Sequence, residues 1–150
     1  MIGFIVLQSI LLFVMMFHDW IPVSPFNDIS ALKKVESNAK RFLGSLINTL
    51  IVIIPLFLTV YYDHHSFIPF SIMLNITAFY FFLTIGTIFS WWVPYFFGSS
   101  KKHKQLFSRY KNTHHFLPAR GDHVVPNTLH VVLHLLVWSC LIFSIIFLVR

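Results

Sequence analysis

The sequence predicts an all-α membrane protein with four transmembrane helices and a short amphipathic interfacial helix after the first span. Three observations predict it. The chain is 57% hydrophobic and only 11% charged, where a globular domain carries about 25% charged residues. Its apolar runs approach about 20 residues, the length that crosses a hydrocarbon layer of about 30 Å. Its 11 lysines and arginines fall in two loops and at the C-terminal residue, the asymmetry that orients spans in a bilayer. The net charge of +6 is therefore read as topology, and no nucleic-acid partner is expected. The whole chain, 1–150, reads as a single integral membrane domain.

The first span is expected at about 1–20. Met1 to Phe17 is apolar without a charged start or a small-residue cleavage site, which fits a span better than a cleaved signal. His18, Asp19 and Trp20 mark its polar exit, and Pro22 and Pro25 prevent the helix from continuing. From about 28 to 41, Ile29, Leu32, Val35 and Ala39 recur at helical spacing, with Lys33, Lys34, Glu36 and Lys40 mostly elsewhere. That pattern predicts a helix on the membrane surface, its cations against anionic headgroups. The second span is expected at about 42–62, with Pro55 as a possible kink. The short DHHSFIP connection makes it a hairpin with the third span at about 69–97. Trp91, Trp92 and Tyr95 at the end of that span read as an interfacial aromatic belt. A basic cytoplasmic loop follows at about 98–128, and the fourth span at about 129–149.

The loop after the first span carries four basic residues, the loop after the third carries six, and the hairpin carries none. With four spans both basic loops share one side. The positive-inside rule makes that side cytoplasmic and puts both termini outside.

This topology gathers a candidate site at the cytoplasmic end. Pro126 stops any helix arriving from upstream, and Asn127 or Thr128 can cap the next one. His130 and His134 then stand four residues apart on one face, with His134 roughly 6 to 9 Å past the cap. Ionisable groups at such depth are costly and mark a functional-site hypothesis. The metal or ligand candidates are His18, Asp19, His114, His115, Asp122, His123, His130 and His134. Asn27, Asp28, Trp91, Trp92, Arg120 and Asn127 support them.

Paired imidazoles with a nearby carboxylate suit a divalent metal such as zinc, whose activated water would hydrolyse a lipid or amphiphile. The zinc-protease motif is not met, because Val131 stands where that motif has Glu. Haem held between His18 and His130 or His134 is a further alternative, as is proton or ion translocation. No catalytic grammar accompanies the cluster. The first reading is accordingly a structural, binding or regulatory role in the membrane, with the bilayer, a second copy of the chain or another membrane protein as partner. The lone Cys140 excludes an intramolecular disulfide.

The blocks HDWIPVSPFND, Trp91-Trp92-Val93-Pro94-Tyr95 and THHFLPARGDHVVPNTLHVVLH together resemble a family of small bacterial integral membrane proteins with no assigned activity. The resemblance implies a bacterial inner-membrane setting and a shared site for the three blocks. It implies no substrate.

Overall fold

The computed structural model describes residues 1–65 and 68–150. It is all-helical, with no strand among the described residues. Helix α1 spans Ile2–Phe17, α2 Ile29–Val35 and α3 Asn38–His64. Helix α4, Phe70–Thr87, continues through a π-helical turn at Ile88–Trp92 into α5, Val93–Phe97. Helix α6 covers Lys101–Phe107, and α7 covers Thr128–Leu148. Three helical rods, Asn38–His64, Phe70–Phe97 and Thr128–Leu148, are long and apolar enough to cross a membrane, whereas apolar α1 is shorter.

The core lies where α1, α4 and α7 meet. Helix α1 buries Phe4, Gln8, Leu11 and Met15, a four-three-four spacing that forms one stripe. Opposite it stand Met73, Ile76 and Tyr80 of α4, with Leu133, Val137 and Cys140 of α7. The Gln8 amide donates to the Tyr80 hydroxyl at 3.2 Å within this core. Phe4 lies 5.9 Å from Phe147 near the end of α7, while His18 lies 6.3 Å from His130 near its start. Helices α1 and α7 therefore run antiparallel.

The second element differs from expectation. The surface helix ends at Val35 rather than 41, because Glu36 is extended and the Ser37 hydroxyl caps a new helix by accepting from the Lys40 amide. Residues 38–41 thus begin α3, four residues ahead of the expected span. The Asp28 carboxylate caps α2, accepting from the Ala31 amide at 2.9 Å. Helix α3 runs unbroken past Pro55, and the Thr59 hydroxyl donates to the Pro55 carbonyl at 2.8 Å. Asp63 and His64 close that helix instead of forming the expected turn, and Ser66 and Phe67 of that turn lie outside the described residues. The expected loop at 98–128 contains α6 and a 3-10 turn at Ser108–Tyr110.

Candidate functional site

The start of α7 is fixed by one side chain. Asn127 is fully buried, and its Oδ1 accepts from the His130 amide at 3.0 Å, which caps the helix. The same oxygen lies 2.6 Å from His130 Nδ1. An amide oxygen only accepts, so His130 carries its hydrogen on Nδ1. The Asn127 amide group donates to the Phe26 carbonyl at 3.2 Å and to the Thr113 hydroxyl at 2.9 Å. This one residue joins the 20s loop, the 113 turn and α7.

The π turn in the rod opposite supplies the wall. A proline within a helix lacks the amide that would close the preceding turn, and here the widened turn just ahead of Pro94 carries both tryptophans. Neighbouring indoles thereby both reach α7. Trp91, which is buried, lies 4.1 Å from the His130 ring. Trp92 Nε1 donates to His134 Nδ1 at 3.2 Å. An indole nitrogen can only donate, so His134 accepts at Nδ1 and carries its hydrogen on Nε2. The two imidazoles, 6.3 Å apart, are held as opposite tautomers.

His18 closes the site from α1. Its Nδ1 faces the Val14 and Met15 carbonyls at 3.1 and 3.2 Å, and its Nε2 lies 3.3 Å from the Asp19 carboxylate. Both ring nitrogens thus face acceptors. Tyr110 completes the enclosure 4.6 Å from His130, and burial pushes its phenol up to about 12 despite the opposing pull of Arg109. A cavity of about 190 Å³ opens beside this cluster, bounded by Met15, Gly86, Thr87, Trp91, His130 and His134.

The remaining predicted residues go elsewhere. His114 Nδ1 bonds the Thr128 hydroxyl at 2.7 Å, and His115 faces the Pro126 and Tyr110 carbonyls. Asn27 ties down its own loop through the His18 and Ile21 carbonyls. His123 folds back from the loop to bond the Tyr95 carbonyl at 2.8 Å, so it does not extend the His130 and His134 stripe. Asp122 turns outward to pair with Lys104, and Arg120 lies over the Tyr95 and Phe96 rings. Among the described residues, no three His, Cys, Asp or Glu side chains converge to hold a metal ion. The gathered set is His18, Asp19, Trp91, Trp92, Asn127, His130 and His134.

Three contributors were not singled out from sequence. Tyr110, in the basic segment before α7, packs on His130. The Arg109 guanidinium pairs with Glu36. Burial opposes the Arg109 charge, but the neighbouring Tyr110 and Glu36 raise its pKa overall. A lone acid in a basic segment was the available signal for that pair. Arg41 is 2% exposed, donates to the Asp19 carbonyl and stacks 4.5 Å over Trp20. Trp20 in turn donates to the Ser45 hydroxyl at 2.8 Å, so it pins α1 to α3.

No family model, curated protein or solved structure matches the chain.

Proposed function

We propose that this chain is a four-span integral membrane protein of the bacterial inner membrane, with both termini extracytoplasmic. Its cytoplasmic rim serves a structural and small-ligand-binding role rather than catalysis. The antiparallel pairing of α1 with α7 supports the fourth span: Phe4 packs near Phe147 and His18 near His130, so the shorter α1 accompanies α7 over most of its length. The Trp20, Arg41 and Asp19 contacts tie the exit of α1 to the entry of α3 at that same rim.

The observation that carries the binding role is the Trp92 indole donating to His134 Nδ1. It leaves His134 Nε2 as a hydrogen donor, whereas the Asn127 cap leaves His130 Nε2 as a bare acceptor. One ion cannot take both Nε2 atoms until His134 reverses its tautomer, and that reversal sets two N–H groups against each other. A neutral hydrogen-bonding ligand meets no such obstacle.

Elemental analysis and an absorption spectrum of the purified full chain test this reading. The expected result is no stoichiometric zinc, iron or Soret band, with His130→Ala/His134→Ala melting lower in detergent. A stoichiometric metal or haem that this double variant loses would overturn the reading in favour of a cofactor site. A reporter fused after Arg150 is expected to be active outside the cytoplasm. Activity confined to the cytoplasm would refute the four-span orientation.

A further inference from the structure

A second and larger cavity, about 570 Å³, lies beside the His cluster between α6 and the loop that returns to α7. Its walls divide by chemistry. Phe107, Leu117 and Val124 give an apolar floor, while Lys104, Lys111 and His123 border it. The one carboxylate on its edge, Asp122, is 84% exposed at its side chain and paired with Lys104. That pair leaves Lys111 as a cation with no acidic partner among the described residues. Ligand sites typically measure about 300 to 1,000 Å³ and combine apolar walls with a few placed polar groups, and this cavity meets both conditions.

The surroundings show which ligand chemistry fits. Helix α6 follows directly on the apolar rod that ends at Phe97, and Phe97 and Leu106 are 82% and 53% exposed. Phe116, at the start of the returning loop, is 55% exposed. Bare apolar side chains next to lysines are the pattern of a protein surface that meets both acyl chains and headgroups. Arg120 lies 5.3 Å over the Phe96 ring at the same rim.

We infer that this cavity binds the phosphate-bearing headgroup of an anionic amphiphile, with Lys111 and Lys104 on the phosphate and Phe107 and Leu117 against the apolar part. The inference rests on the proposed orientation only in assigning the cavity to the inner leaflet. The anion chemistry is independent of that orientation.

The test uses the full chain in nanodiscs of phosphatidylcholine with a minority of phosphatidylglycerol, and native mass spectrometry to count retained lipids. Retention of phosphatidylglycerol over phosphatidylcholine is expected. Lys111→Gln should weaken that preference about fivefold, the usual worth of one cation near an anionic surface. Asp122→Asn should strengthen it, because it frees Lys104. Lys33→Gln/Lys34→Gln, a double charge change on α2 outside the cavity, should weaken it less than the single Lys111→Gln does. Equal retention of the two lipids, or equal weakening by the α2 variant, would overturn the inference. Competition by soluble glycerol phosphate would assign the site to a free phosphate ester, and its failure to compete would assign the site to lipid. A cytoplasmic Arg150 reporter would move the cavity to the other leaflet without altering the binding preference.

Discussion

Trp92→Phe isolates the hydrogen bond on which the reading of the His cluster turns. The substitution keeps an aromatic ring against Phe96 and Trp138, whose centroids lie 6.2 and 5.5 Å from that of Trp92. It removes the N–H that donates to His134 Nδ1. His134 is then free to move its hydrogen to Nδ1 and offer a lone pair on Nε2, as His130 already does. A neutral hydrogen bond of this kind contributes about 0.5 to 1.5 kcal/mol net. Releasing it should therefore tighten zinc binding about two- to tenfold. Isothermal titration of zinc into the detergent-solubilised chain measures this directly, with His134→Ala as the background in which the gain must vanish. If Trp92→Phe binds zinc more weakly than the unaltered chain, the indole orients a metal ligand instead. The tautomer argument would then be wrong.

Asn127→Ala removes a helix cap worth about 1 kcal/mol and leaves buried partners unmade at about 1 to 3 kcal/mol. A total near 3 kcal/mol should lower the melting temperature in detergent by about 6 to 12 °C, and Asn127→Asp should lose at least as much, because it sets a buried carboxylate against the Phe26 carbonyl that the amide group now donates to. Gly98 sits at φ 83 and ψ 177, a region that only glycine adopts readily, at a cost of order 1 to 3 kcal/mol to other residues. Gly98→Ala would also bring its Cβ within 3.2 Å of His123 Nε2, so a lower melting temperature is expected, partly restored by adding His123→Ala. The Lys104 ammonium holds the Asp122 carboxyl below the usual range. The contribution of that pair is therefore present above the ordinary carboxylate pKa and fades as pH falls through the lowered value. An NMR titration of Asp122 should return to the ordinary range in Lys104→Met.

The all-helical fold and three of its long apolar helices were legible because hydropathy is a local property. Runs such as Leu129 to Val149 announce a helix whatever packs on them. Pro126 narrowed the cap of the next helix to Asn127 or Thr128, and the structure takes Asn127. Nothing comparably local marks the break at Glu36 and Ser37. The apolar spacing continues from Val35 to Ala39 across it, so periodicity alone predicts one helix where capping makes two. The pairings at the rim were hidden for a different reason. Trp91 and Trp92 are adjacent in sequence, and in a regular helix they would point about 100° apart. The widened turn ahead of Pro94 alters that geometry and lets both meet α7, where one packs on His130 and the other fixes the tautomer of His134. The chemistry of the histidine pair is thus set by the backbone of a facing helix, which no spacing rule applied to His130 and His134 themselves can report.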